Sequence, residues 1–458
     1  MRIPARTLAH VLLALAAGAC TDPTGAGTAR PGATRPSADL AEGALSAFVV
    51  TSTVDAVDAL PGDGVCATAL QADGAAPCTL RAAVQEANAL PGAQTVTLPA
   101  GTYPLTILSA TQGSGAESGG LDVVDALTVE GAGAASTAID CAGPGDPAAP
   151  WQAPCGIYGG PMFAIHAAPV VITGVTLTRT NPTLGSIVSA ALVDIDAGAS
   201  LTLRDAAVRQ HRYIAIWNRG TLALQRVTVA DNASGSTGAG LNNRGTATIT
   251  ASTFSGNSAN YGGAAIANFG TLTLTNSTLS DNANVGDVLE GGGALSNWGT
   301  ATLNGVTIAG NTLAVGLASW GFAAGVTSYP AGVLRMGNTI LAGNTVSFIS
   351  LETMSRVTVA GDCMGPITSL GYNLIGSLNG CTALGKTTGD LAGVDPLLGP
   401  LADNGGPTLT RALLPGSPAI DAGHPARSAR APHACPSTDQ RGFPRVDRCD
   451  IGAYEAQQ

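Results

Sequence analysis

The chain has 458 residues and a formal net charge of −10, from 31 acidic and 21 basic residues, and Lys386 is its only lysine. That acidity, without basic clusters, argues against nucleic acid as a partner and against charge-driven attachment to an acidic membrane. Charged residues make up only 11% and aromatic residues 4%, against 61 glycines, a balance that suits tightly stacked coils with small-residue turns.

Residues 1–20 read as an export signal. Arg2 and Arg6 supply the positive start, and the apolar run from Leu8 to Ala17 is too short to span a bilayer as a stable helix. The run ends in Ala17-Gly18-Ala19-Cys20, which resembles a bacterial lipoprotein signal. The resemblance implies cleavage before Cys20 and its lipidation, with ordinary signal-peptidase cleavage as the alternative. Residues 21–47, rich in Thr, Pro, Gly, Ala and Ser, have no apolar period and read as a disordered linker.

The eight cysteines after Cys20 fall into four local pairs: Cys66 with Cys78, Cys141 with Cys155, Cys363 with Cys381, and Cys435 with Cys449. An even count at short separations fits disulfides formed in an oxidising compartment. Zinc is the alternative, but no pair has Cys-x-x-Cys spacing and the five histidines stand apart from them.

Residues 48–110 form a head block. A strand is expected at Phe48–Thr53 and another at Gln94–Leu98. Between them lies a helix capped by Thr79, with Leu80, Val84 and Ala87 on its apolar face and Pro91-Gly92 as its stop. Placed at the end of a stack of coils, such a helix would cover the open edges of the first coil. The segments FVVTSTVDAVDALPGDGVC and CTLRAAVQEANALPGAQTVTLPAGTY resemble the N-terminal "CSLREA" domain that precedes bacterial β-helices, with Thr79 and Ala82 in place of the Ser and Glu of that motif. Asp55, Asp58 and Asp63 are dense enough in oxygen ligands to hold calcium, or are plain turn residues beside Pro61-Gly62. Calcium is the one cofactor that the residues raise.

Residues 111–350 carry the repeats. LTVEGAGAASTAIDC, VVITGVTLTRT and SLTLRDAAVRQ are early, irregular coils. Four regular copies follow: WNRGTLALQRVTVADN, NNRGTATITASTFSGN, ANFGTLTLTNSTLSDN and SNWGTATLNGVTIAGN. Their Gly-Thr pairs begin at Gly220, Gly245, Gly270 and Gly299. Alternation in Thr271-Leu272-Thr273-Leu274-Thr275 is that of a strand with one buried face, and three short strands with three turns fill one copy. The fold expected is an all-β, right-handed parallel β-helix of the pectate-lyase-like kind, one coil per repeat, with a short N-terminal capping helix. Asn218, Asn243, Asn268 and Asn297 share one repeat position, and Asn232, Asn257, Asn282 and Asn311 another. Stacked amides at such positions can hydrogen-bond along the axis. The Gly-Gly-Ala and Asn-rich repeat is similar to polymorphic outer-membrane protein repeats.

One line of side chains stands out, at the position before each ladder glycine: Arg219, Arg244, Phe269 and Trp298. Stacking would place them along one edge, where they shield a turn or form a stripe for a glycan or protein. Candidate carboxylates for catalysis are Asp194 with Asp196, Asp231 with Asp281, and Asp287 with Glu290. None forms a dense cluster in sequence, no Gly-x-Ser-x-Gly motif is present, and no catalytic residue is assigned.

Residues 351–458 hold GYNLIGS, GDLAGVDPLLGPLADNGGPTLTRALLPGSPAIDAG and DQRGFPRVDRCDIGAYE. They resemble the end of bacterial "choice-of-anchor Q" proteins, which implies further coils and a cap. No apolar tail follows Glu455, so Cys20 is the expected anchor. The resemblance implies an exported protein of the outer membrane or cell surface, or a secreted one. The role expected is binding, adhesive or structural, toward polysaccharide or a surface protein, in a monomer. A polysaccharide lyase or glycoside hydrolase of the same fold is the alternative.

Overall fold

The structure, a computed structural model, describes residues 47–108, 115–142, 155, 160–166, 169–180, 190–286, 291–317, 323–385, 387–425, 433–446 and 448–457. Cys20, the expected export signal, all but the last residue of the expected linker, Asp287 and Glu290 lie outside them.

The chain forms a parallel β-helix of the expected kind. A regular coil contributes Leu241–Asn243, Thr246–Thr250 and Thr253–Ser255. In the second-strand sheet of the regular coils, equivalent strands pair in parallel without slip, so Thr221, Thr246, Thr271, Thr300 and Val333 stand in one row. Among the described residues, the first and the second strands of successive coils form two parallel sheets that the single strand Cys363–Ser369 links into a 20-stranded sheet, the third strands make an 11-stranded sheet, and a 6-stranded sheet flanks them.

The alternating sequence sets which side faces in. Leu272 and Leu274 are fully buried while Thr271 is exposed. Phe254, Leu279 and Ile308 fill one inward row in successive coils, all without exposure. Each such side chain contributes about 1.5–3 kcal/mol of hydrophobic stabilisation. The ladder glycines follow from coil spacing. A Cβ on Gly245, Gly270 or Gly299 would lie only 2.1 Å from the carbonyl oxygen of the glycine one coil earlier, so no side chain fits there.

Both asparagine rows form continuous amide ladders. Asn218, Asn243 and Asn268 each donate from Nδ2 to Oδ1 of the next asparagine, ending at Asn297, at 2.7 Å per step. The second ladder runs from Asn232 through Asn257, Asn282 and Asn311 to Asn344, and then to the buried carboxylate of Asp362 at 2.8 Å. Its polarity is uniform, and it ends on a group that, when ionised, only accepts. Burial raises the pKa of Asp362.

At the head, helix α1 (Leu80–Ala89) is capped by Thr79, whose hydroxyl accepts from the Ala82 amide. The helix ends before Leu90, which is extended, one residue ahead of the expected Pro91-Gly92 stop. Leu80, Val84 and Ala87 are buried, but so are Arg81, Gln85 and Glu86. Arg81 bonds both carboxylate oxygens of Asp55, at 2.7 and 3.0 Å, and the carbonyls of Ala116, Gly119 and Gly120. Glu86 accepts from the amides of Gly62 and Gly64. The helix thus pins the preceding loop by its polar side as well as its apolar one. The first strand covers only Ala47–Val49, shorter than the expected Phe48–Thr53.

The four expected disulfides are present, Cys66–Cys78, Cys141–Cys155, Cys363–Cys381 and Cys435–Cys449. They close loops of 12 to 18 residues, each contributing about 3 kcal/mol in the chain-entropy account. They mark an extracytoplasmic protein. Among the described residues, no helix is long and apolar enough to cross a membrane.

Parallel coils continue to Leu391–Ala392, and a hairpin of Leu398–Ala402 and Thr410–Leu413 follows. The last block then lies along the side of the 11-stranded sheet. Thr278 donates to Gln440 Oε1, Gln440 Nε2 donates to Thr253, and the Ala453 amide donates to Thr307, so a row of three threonines holds it. Its own frame is a buried Arg445–Glu455 pair at 3.0 Å and an Arg441–Asp439 pair at 2.7 Å.

Candidate functional site

The site begins from one backbone slot, the residue that follows each three-residue strand of one face. The strands Phe163–Ile165, Val193–Ile195, Ile216–Asn218, Leu241–Asn243, Ile266–Asn268, Leu295–Asn297 and Val326–Ser328 pair in register. The residues after them are His166, Asp196, Arg219, Arg244, Phe269, Trp298 and Tyr329. All four residues of the predicted stripe therefore belong to one column, which reaches two coils further toward the head and one further toward the tail.

The tail half of the column is a stack of rings. Phe269 and Trp298 lie 4.5 Å apart with planes 7° from parallel, and Trp298 and Tyr329 lie 4.2 Å apart at 12°. The guanidinium of Arg244 sits over Phe269 at 4.7 Å. The faces of these rings are thus used on one another, and what the stack turns outward is its edges. The faces offered to a sugar by a row of separate rings are largely closed here.

The head half carries charge. His166 Nδ1 is 2.6 Å from Asp196 Oδ2, and its Nε2 lies 3.8 Å from Asp122 Oδ1. Arg219 Nη2 reaches Asp194 Oδ1 at 3.0 Å and Asp196 Oδ1 at 2.5 Å. Asp122 and Asp194 are the outward middle residues of their strands, each in register with Ala164 on the strand between them. Five ionisable groups, contributed by successive coils, therefore meet on the outer surface. Asp194 and Asp196 come together as their spacing implies. Both ring nitrogens of His166 face carboxylates, and Asp196 orients the ring.

The two aspartates are driven apart electrostatically. Burial outweighs the nearby Arg219 and holds the Asp194 carboxyl above the usual carboxylate range. Burial also pushes Asp196 upward, but hydrogen bonds and charge from His166 and Arg219 outweigh it and hold Asp196 below that range. The two carboxyls, both in contact with Arg219, are thus biased in opposite directions. One guanidinium nitrogen bridges both carboxylates, leaving no gap between them for a sugar, as a paired-carboxylate hydrolase requires. The imidazole held by Asp196 suits proton transfer instead.

The other predicted carboxylates do not join this site. Asp231 and Asp281 are turn residues with φ of 58°, and Asp281 pairs with Arg411 at 2.6 Å. In the head, the oxygens of Asp55 serve Arg81 and the amides of Thr106 and Ile107, Asp58 accepts from the amides of Leu60 and Ala67, and Asp63 accepts from that of Val65. The bonds of Asp58 and Asp63 are local turn bonds, whereas those of Asp55 tie together segments distant in sequence. Among the described residues, no three His, Cys, Asp or Glu side chains are grouped to hold a metal ion.

His166, Asp122, Trp217 and Tyr329 were not singled out in the sequence. The signal for the column was a four-residue phrase, FAIH, VDID, IWNR, LNNR, IANF, LSNW and VTSY, whose early members are hidden by unequal insertions between coils.

No protein-family model matches the sequence, and no curated protein does. Two solved structures from Azotobacter vinelandii are similar in part. The A-module of mannuronan C-5 epimerase AlgE4 is 15% identical with a TM-score of 0.33, over 69% of this chain and 92% of that one. The A-module of mannuronan C-5 epimerase AlgE6 is 14% identical with a TM-score of 0.26, over 69% and 91%.

Proposed function

We propose that this protein is an exported β-helix that engages a polysaccharide across the charged head of the column and moves protons on it. The observation that carries this reading is the convergence of Asp122, His166, Asp194, Asp196 and Arg219 on one outer surface, with His166 held by Asp196. His166 serves as the base, Asp196 as its positioning residue, and Arg219, held by Asp194 and Asp196, as the cation that steadies developing negative charge. Anchoring through Cys20 would display this surface at the cell envelope.

The test is a panel of neutral and acidic polysaccharides incubated with the protein and with His166→Ala. Chain length is followed by size exclusion and sugar configuration by NMR. Conversion of one polysaccharide, reduced at least 100-fold in His166→Ala, supports the reading. Binding without conversion would remove the proton-transfer role and leave a glycan-binding rod. That second reading is favoured by the ring stack and the amide ladders, which make the rest of the shaft rigid and regular. No binding to any member would overturn both.

A further inference from the structure

We infer that Trp217, Asn242 and Arg244 form a subsite for a sugar bearing an anionic group, a carboxylate or a sulfate. The inference rests on the glycan reading above and names the class of ligand that site takes. Arg219 is balanced by two carboxylates, whereas Arg244 has no carboxylate partner and its side-chain N–H groups make no hydrogen bond among the described residues. It is exposed, and its guanidinium carbon lies 4.7 Å from the Phe269 ring centre and 6.0 Å from that of Trp217. Held between rings, a guanidinium keeps its N–H edge for a planar anion, which it can meet with two parallel hydrogen bonds.

A second observation comes from the neighbouring row. Trp217 and Asn242 are paired in register, directly beside Asp194. The indole Nε1 of Trp217 and the Oδ1 of Asn242 are buried without a hydrogen-bond partner, although Asn242 is 2% exposed and its Nδ2 is bonded to Thr237. A buried donor and a buried acceptor left unpaired are each destabilising in the unliganded protein. Trp217 stands one coil and Asn242 two coils from Asp194, and a sugar hydroxyl could accept from the first and donate to the second once the side chains covering these buried atoms give way. Together they supply a cation, a donor and an acceptor beside His166, Asp194 and Asp196, and Arg219 lies 6.0 Å from the same indole ring.

The experiment measures the affinity of the whole protein for polygalacturonate and its fully methyl-esterified form, and for dextran sulfate and plain dextran. The expected result is binding at least 30-fold tighter to one charged chain than to its uncharged counterpart. Polygalacturonate against dextran sulfate tells carboxylate from sulfate. Arg244→Gln, a change at an exposed position, should erase that preference. Trp217→Phe, which keeps a ring but removes the N–H, should weaken the charged chain several-fold. Equal binding of charged and neutral chains, or a preference that survives Arg244→Gln, would overturn the subsite and leave the glycan reading standing. Absence of binding to all four chains would overturn both.

Discussion

The same backbone slot is filled in two ways along one column. In the coils after Asn243 it holds Phe269, Trp298 and Tyr329, which stack on one another. In the earlier coils it holds His166, Asp196 and Arg219, which form ion pairs. The rings satisfy themselves within the protein. The charged groups pair with one another across successive coils, with Asp194 and Asp196 biased in opposite directions. The division partly follows the sequence: coils separated by long insertions carry His166, Asp194 and Asp196, while Arg219 and Arg244 come from the first two regular copies beside the ladder residues Asn218 and Asn243. Regularity makes the shaft, and departure from it marks the site.

The comparison can be broken by substitution, and the largest effect is expected far from the column, where both halves depend on the head cap. Arg81→Met leaves Asp55 buried without its partner, and a loss of about 3–5 kcal/mol is expected in urea unfolding. The next effect concerns pH in the early coils. His211 is fully buried, donates to the carbonyl of Ala190 and is held down to about 3 by desolvation, with Arg179 adding to the effect. Its folded pKa lies below its unfolded value, so its contribution is fully present above about pH 6.5 and is lost as the pH falls toward 3. The loss should be about 1.4 kcal/mol per pH unit. His211→Gln should flatten that part of the stability profile, and an unchanged slope would contradict the assignment.

In the regular coils, Asn282→Leu removes the amide that accepts from Asn257 and donates to Asn311, leaving buried groups unpaired on both sides. A loss of about 2–4 kcal/mol is expected by the same unfolding measurement. Smallest of these should be Trp298→Ala, which removes two ring stacks at a half-buried position, for a loss of about 1–3 kcal/mol.

The shaft was readable because a strict repeat fixes both register and face. Thr271–Thr275, the ladder glycines and the two asparagine rows each follow from a single coil spacing, and the disulfide pairs follow from local cysteine spacing. The polar side of α1 was not readable. Burial of Arg81 depends on Asp55 and on carbonyls near residues 116–120, which sequence distance conceals. The site was half visible. Asp194 and Asp196 stand two apart on one strand, and the four stripe residues share a repeat place. His166 joins them only once the coil path sets its strand beside Val193–Ile195. That the rings would stack face to face, rather than offer their faces outward, depends on side-chain angles that repeat spacing leaves open.

The central claim is that ligand chemistry belongs to the charged half of the column and the aromatic half is scaffold. The most direct measurement compares His166→Ala with Trp298→Ala, both verified as folded, for binding and conversion of the polysaccharide that the panel selects. The account predicts at least a 100-fold loss of conversion in His166→Ala and a change below threefold in Trp298→Ala. Full conversion by His166→Ala, or loss of binding in a folded Trp298→Ala, would contradict it.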